Sequence, residues 1–170
     1  MKRSGRTLKQ RLYGLRHLPS RIRRMRYFRG HGVHSPYIYD IVRHVFMRST
    51  FTDDDNPLYD ALVQHDIVGK RAIQLQNLMR HCKYTTWAID NLTVADMLIV
   101  TLDTKYPQLE QYAAFARENG ITLCIMNPYN NAHRWEVCKG IIESHPSTTV
   151  DNRGYLLIFN NHLPKQRFRL

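Results

Sequence analysis

Two histidines lie three residues apart in the segment RGHGVHSPYIYD, flanked by glycines and followed by Ser-Pro. His31 and His34 could ligate a metal ion, act in a catalytic loop, or precede a helix. A zinc site needs further Cys, His or acidic ligands, and the segment supplies none beside them. We therefore predict no metal site here. We interpret His31, His34 and Ser35 as a turn that docks the N-terminal segment on the domain, with an active-site turn as the alternative.

Polar residues also follow three predicted strands. Asp90 ends TTWAID, Asp103 ends DMLIVTLD, and Asn127 ends ITLCIMN, with Tyr129 two residues later. The carboxyl ends of parallel strands meet at one edge of a sheet, where α/β proteins bind ligands. These four residues form a candidate ligand crevice. In the structural alternative, Asp103 caps a helix opened by Pro107 and Asn127 makes an Asx turn.

The sequence offers no activated nucleophile. Its three cysteines, Cys82, Cys124 and Cys138, form no C-x-x-C pair, and no Ser or Cys stands in a G-x-S-x-G setting. Three is an odd number for a disulfide framework. We expect buried thiols in a reducing compartment.

The first elements needed to position these residues are helices. Ser35 suits an N-cap and Pro36 the first helical position. The residues that follow form an apolar stripe at helical spacing, consisting of Ile38, Ile41, Val42, Val45 and Phe46. After the turn TDDDNP, two more helices are predicted in LYDALVQHDIV and KRAIQLQNLMRHC. The second has a predicted buried side of Ile73, Leu75, Leu78, Met79 and Cys82.

Strand patterns begin after residue 84. TTWAID, DMLIVTLD and ITLCIMN are apolar runs, and the helical segment PQLEQYAAFAREN separates the last two, which is typical of parallel strands. AHRWEVCKGIIESH predicts another helix, and TTVDNRGYLLIFNN an antiparallel hairpin. We predict one α/β domain over residues 35–170, with helices in 36–83 and a sheet in 85–160.

The positive charge is concentrated before this domain. The net charge is +11, and residues 1–48 hold thirteen of the 25 Lys and Arg and one acid, which gives them +12. We predict a basic helical arm over residues 1–34 whose leucine face packs on the domain. Binding of nucleic acid or another anionic surface through residues 1–29 is the alternative. The candidate phosphate-binding residues are Arg21, Arg23, Arg24, Arg26 and Arg29.

The sequence contains no apolar run near the roughly 18 residues of a membrane span. It also lacks the apolar stretch of a secretory signal after its first methionine. We expect a soluble, cytoplasmic protein.

Three segments resemble, in the same order, parts of class I S-adenosylmethionine-dependent methyltransferase-like proteins of Bacteroides-type bacteria. They are HGVHSPYIYDIVRHVF, DMLIVTLDTKYPQLEQY and WEVCKGIIESHPSTTVDNRGYLLIFNNHLPKQRFRL. The resemblance implies a Rossmann-like, mostly parallel sheet that ends in an antiparallel hairpin. It also implies that Asp103 stands where related O-methyltransferases keep an acid that binds a metal or faces substrate. Those with a metal site have an Asp-Asn pair where this chain has Asn127 and Pro128.

The cofactor loop of that family is missing. S-adenosylmethionine would need a Gly-rich turn after the first strand, which lets the backbone approach the ligand, and an acid after the second strand. Here only Gly30 and Gly32 are spaced as G-x-G, and no strand precedes them. TTWAID and DMLIVTLD are separated by a few residues, whereas a βαβ unit takes roughly 30. The resemblance therefore implies a degenerate member that lacks the cofactor-binding half.

Three functions remain open at this point. The first is a non-catalytic remnant that binds or regulates and uses no cofactor. The second is an active S-adenosylmethionine-dependent methyltransferase with an atypical or partner-completed site. The third is a nucleic-acid-binding protein that works through the arm. A shortened sheet also exposes an edge, which we expect a second copy, a partner or the helices of 36–83 to cover.

Overall fold

The computed structural model describes residues 33–105, 108–160 and 163–170. The predicted arm up to residue 32 lies outside them, and so do His31 and the five candidate phosphate-binding arginines. Pro107, predicted to open a helix, is also outside the described residues.

The first described helix begins as the sequence predicts and then changes its hydrogen bonding. In α1 (Pro36–Ile41), Ser35 Oγ accepts a hydrogen bond from the Ile38 N–H at 3.4 Å. The helix continues as a π-helical segment, Val42–Phe46, and the Met47 N–H bonds to the Val42 carbonyl at 3.0 Å. The wider turn holds one extra residue. The predicted apolar stripe is fully buried.

Two further helices follow, α2 (Pro57–Gln64) and α3 (Lys70–His81). The pattern LYDALVQHDIV overestimates the length of α2. Asp66 takes a left-handed conformation (φ 58°), and the Ile67 N–H bonds back to the Leu62 carbonyl, so the helix ends earlier. Residues 65–69 therefore form a linker between the two helices.

The buried side of α3 differs from the prediction, since Ile73 and Cys82 are partly exposed and Gln74 is buried. Burial of an amide costs little when its groups are paired. Gln74 Nε2 donates to the Phe46 carbonyl at 2.6 Å, and Gln74 Oε1 accepts from the Tyr155 hydroxyl at 3.1 Å.

Within the described residues, the sheet has six strands in the order β1-β2-β3-β5-β4-β6. They are β1 (Trp87–Ile89), β2 (Met97–Val100), β3 (Thr122–Met126), β4 (Thr149–Asp151), β5 (Tyr155–Ile158) and β6 (Arg167–Arg169). β5 is antiparallel to both neighbours, and the other pairs are parallel. The α/β class and the β4–β5 hairpin are confirmed. β6 extends the sheet beyond the predicted limit of residue 160.

Helices lie on both faces of this sheet. Alternate residues of β2 and β3 point to opposite sides: Met97, Ile99 and Cys124 meet the core formed with α1 to α3, and Leu98 and Leu123 meet the other core. That second core is built with α4 (Gln108–Glu118) and α5 (Ala132–Ser144). Helices of residues 36–83 thus cover a face of the sheet. In the described residues, β1 has a strand partner on one side only.

A carboxylate ties the start of β1 to the start of β2. Asp96 Oδ2 accepts hydrogen bonds from the backbone N–H and the hydroxyl of both Thr85 and Thr86, at 2.8 to 3.1 Å. Partial burial by itself would raise the pKa of Asp96, but these four hydrogen bonds outweigh it and hold the pKa below its ordinary value. The connection between β1 and β2, residues 90–96, contains no helix.

Candidate functional site

Asp90 stands immediately after β1 and clamps the end of β2. Its carboxylate accepts hydrogen bonds from the Thr101 N–H at 2.8 Å, from the Thr101 hydroxyl and from the Thr104 hydroxyl. Asp90 has φ 50°, a left-handed conformation that Asp tolerates better than most residues. This side chain is therefore held in one orientation at the carboxyl edge of the parallel strands.

Asp103 and His65 lie beside Asp90. Asp103 follows β2 and His65 ends α2, and one potential ligand atom from each of the three side chains lies within 4.8 Å of the others. Asp90 is partly buried, whereas His65 and Asp103 are exposed. Sequence reasoning brought Asp90 and Asp103 to the same edge but left His65 in a separate helix and expected no metal cluster. His65, at the end of α2, is thus the third potential ligand in this cluster.

Asn127 follows β3 and faces the other end of the same linker. Its Oδ1 accepts a hydrogen bond from Arg71 Nη1 at 2.6 Å, so the side chain is used by α3 and not by the predicted Asx turn. Arg71 passes directly over Gly154, which has no Cβ to obstruct it. A cleft of about 390 Å³ opens here, lined by Asp66, Ile67, Val68, Lys70, Arg71, Met126 and Asn127.

Arg134 lies beneath the ends of β2 and β3. It is fully buried in the first turn of α5, where the Asn131 side chain accepts from its backbone N–H at 2.8 Å. Arg134 Nη2 donates to the Thr101 carbonyl at 2.9 Å and the Met126 carbonyl at 3.0 Å. One guanidinium thus fixes the positions of two strand ends and of the residues that follow them.

Tyr129 is separate from the Asp90 and Asp103 pair. Its hydroxyl donates to Asp151 on β4, and its ring stacks on Trp135 with centroids 4.3 Å apart. Of the four predicted crevice residues, the structure places Asp90 and Asp103 in one cluster, Asn127 at the cleft, and Tyr129 in packing around β4.

Two residues of the predicted docking or active-site turn, His34 and Ser35, lie among the described residues. Ser35 caps α1 and His34 is exposed just before it. A different histidine pair does meet an acid: His44 Nδ1 and His81 Nε2 each lie 2.8 Å from a carboxylate oxygen of Asp40. This contact joins the π-helical segment to the end of α3.

The thiols are poorly suited to nucleophilic chemistry. Burial raises the pKa of Cys138 to about 11, with a smaller upward effect from Asp151 and an opposing one from Arg134. Burial also raises the pKa values of Cys124 and Cys82. A thiol whose pKa lies well above neutral pH carries little thiolate. None of the three thiols is therefore activated as a nucleophile.

Among the described residues, no helix combines the length and apolarity required to cross a membrane. Comparison with protein-family models, with curated proteins and with solved structures finds no match to this chain.

Proposed function

We propose that this chain is a methyltransferase-like protein that has lost S-adenosylmethionine binding and acts as a non-catalytic binding module through the carboxyl edge of its sheet. The observation that carries the proposal is the strand order combined with the short β1–β2 connection. The resemblance of three sequence segments to methyltransferase-like proteins supplies the family.

The strand order is consistent with a Rossmann-like sheet from which two strands are missing. The usual doubly wound order is 3-2-1-4-5-6, and removal of strands 2 and 3 leaves 1-4-5-6. The order here is β1-β2-β3-β5-β4-β6, in which only β5 runs antiparallel to the other strands. The short strand β6 is an addition beyond β4, with which it pairs in parallel. An antiparallel strand near the end of the sheet is also what the resemblance implies.

The short connection explains why cofactor binding is lost. A dinucleotide-type site needs a glycine turn and a helix N-terminus directly after the first strand, because backbone N–H groups must reach the ligand. Residues 90–96 contain no glycine and no helix. Asp90 occupies this place instead, and its carboxylate is bonded to Thr101 and Thr104.

The edge still has room for a ligand. The cleft between the α2–α3 linker and the end of β3 measures about 390 Å³, which is within the roughly 300 to 1,000 Å³ of small-molecule sites. Lys70 and Arg71 line it together with the apolar side chains Ile67 and Val68. This mixture of charged and apolar groups favours a small polar ligand.

The experiment is a thermal-unfolding titration of the full chain with S-adenosylmethionine and S-adenosylhomocysteine, each up to millimolar concentration. A bound ligand at 100 times its Kd would add about 2.7 kcal/mol to the free energy of unfolding. We expect no shift for either compound and no methyl transfer in a radiolabel assay. A known methyltransferase titrated in parallel confirms that the reagents are active.

A saturable rise in unfolding temperature would overturn the proposal and favour an active enzyme with an atypical site. In that case Asp90→Asn should abolish the shift, because Asp90 stands where the cofactor would follow β1. The binding role has its own test. A metabolite that stabilises the chain through the cleft should lose its effect in Lys70→Met but not in Lys83→Met, which changes an exposed lysine outside the cleft lining.

The charge of the N-terminal segment supports a second function, nucleic-acid binding. Residues 1–29 contain eleven Lys and Arg and no acid, and affinity carried by phosphate contacts falls steeply as salt rises. The test is binding of the full chain to single-stranded RNA and to DNA at several salt concentrations. Replacing Arg21, Arg23 and Arg24 by Gln should reduce both the affinity and the salt slope. Unchanged binding in that variant would contradict the assignment.

A further inference from the structure

Three potential metal ligands converge at the carboxyl edge of the sheet. His65 comes from the end of α2, Asp90 from the end of β1 and Asp103 from the loop after β2, and one ligand atom of each lies within 4.8 Å of the other two. They come from separate positions in the sequence, so the fold alone brings them together.

We propose that His65, Asp90 and Asp103 bind one divalent transition-metal ion. Ligand atoms at about 2.0 to 2.2 Å from a metal lie roughly 3 to 3.5 Å apart, so the observed group needs only a small closure. His65 and Asp103 are exposed and have room for that rotation. This inference does not depend on the methyltransferase-like proposal, since it rests on side-chain geometry and charge.

Charge favours a cation at this place. Two carboxylates approach one another, and within the part of the chain that the structure describes neither Asp90 nor Asp103 forms an ion pair with Lys or Arg. Like charges at this separation repel. A dication between them would neutralise the pair and use the imidazole of His65 as a third ligand.

Asp90 is the fixed member of the set. A carboxylate offers about four acceptor positions, and Thr101 and Thr104 together occupy three of them. The remaining capacity is available to an ion. Hydrogen bonds of this kind orient ligating carboxylates in known metal sites, so Asp90 would bind the ion with little loss of side-chain freedom.

The ligand types select the class of metal. Imidazole suits Zn²⁺, Fe²⁺ and Ni²⁺, whereas Mg²⁺ and Ca²⁺ prefer oxygen ligands throughout. Among the described residues, no cysteine belongs to this group of potential ligands, which disfavours a closed thiolate site. Three protein ligands, two of them exposed, leave a coordination position open to water or to an anionic ligand.

The test is isothermal titration of the full chain with Zn²⁺, with Mg²⁺ as the comparison ion. The variants are His65→Gln and Asp103→Asn, whose exposed side chains make misfolding a small risk, and circular dichroism checks each fold. Matched controls are His133→Gln and Asp60→Asn, which change an exposed imidazole and an exposed carboxylate outside the group.

We expect saturable binding of one Zn²⁺ per chain that is much tighter than binding of Mg²⁺. Each ligand variant should weaken Zn²⁺ binding at least tenfold, and the double variant should remove the site. Both controls should stay within twofold of the parent. Absence of saturable Zn²⁺ binding, or equal affinity in the parent and both ligand variants, would overturn the proposal. Because the readout is metal affinity, failure here is distinct from the outcome of the cofactor titration.

Discussion

Replacement of Arg134 by Met should strongly destabilise the fold. The guanidinium is fully buried and donates to the carbonyls of Thr101 and Met126 at 2.9 and 3.0 Å. Met retains much of the apolar stem but no donor, so two charge-assisted hydrogen bonds are lost and two buried carbonyls lose a partner. At about 1.5 to 3 kcal/mol for each such bond, we expect the free energy of unfolding to fall by about 3 to 6 kcal/mol.

The measurement is urea unfolding followed by the fluorescence of Trp87 and Trp135. For a denaturant slope of about 2 kcal/mol per molar urea, the midpoint should move down by roughly 2 M. The matched control is Lys139→Met on the same helix, where a solvent-facing amine pairs only with Glu136 in the described residues. We expect that control to unfold like the parent. Arg134→Lys, which keeps the charge and N–H donors on a shorter side chain, should be intermediate.

A fall of less than about 1 kcal/mol for Arg134→Met would refute this reasoning. Such a result would mean that the cost of removing the guanidinium from water offsets what its hydrogen bonds contribute, as measured for some buried ion pairs. An altered denaturant slope would instead indicate a change in the unfolded state or a loss of two-state behaviour.

Three further predictions concern titration and thiol reactivity. Hydrogen bonds from Thr85 and Thr86 outweigh partial burial and hold the pKa of Asp96 below its ordinary value. The stability that the Asp96 carboxylate contributes to the fold is complete above about pH 4 and is lost as pH falls through its folded-state pKa. Asp96→Asn should flatten the decline in unfolding free energy that urea titrations measure between about pH 5 and pH 2. Burial, with nearby positive charges, lowers the pKa of His145, so the unfolded chain binds a proton here more tightly than the folded chain. The stability that His145 contributes above about pH 6.5 is therefore lost as pH falls through its folded-state pKa. His145→Asn should remove that slope between about pH 7 and pH 5, and an unchanged slope would contradict the assignment. Burial raises the pKa of Cys138 to about 11 and raises those of Cys82 and Cys124. Iodoacetamide should therefore alkylate the buried Cys124 and Cys138 only as urea unfolds the chain, and the partly exposed Cys82 only slowly in the native protein. Rapid labelling of the native protein would show this to be wrong.

The parts of the fold that follow local patterns were predictable. The stripe from Ile38 to Phe46 repeats at helical spacing, and Asn152 and Gly154 supply turn chemistry between β4 and β5. The π-helical turn after Ile41 was not, because one extra residue leaves the apolar stripe intact. β6 was missed because it is only three residues long and two of them are exposed arginines, Arg167 and Arg169.

The candidate site was predictable only in part. Asp90 and Asp103 each follow an apolar run, so the shared edge of a parallel sheet predicted that they meet. His65 carries no such signal, because its position depends on where α2 ends and on the left-handed conformation of Asp66. The burial of Gln74 was likewise not predictable from the sequence, because it depends on hydrogen-bond partners far away in the chain, Phe46 and Tyr155.

The position of β5 has a consequence for the order of folding. β3 reaches β4 only through β5, so the β3 edge stays unpaired until the hairpin is made and inserted. During synthesis the segment from β1 to β3 emerges before β4 and β5. The edge of β3, a strand that is fully buried in the folded protein, is then unpaired, and such a state is prone to wrong pairing. We expect the local β4–β5 hairpin to form as a unit and its insertion to be the slow step. Pulsed hydrogen exchange should then protect the β4 amides that pair with β5 before the β3 amides that pair with β5, and simultaneous protection would argue against this order.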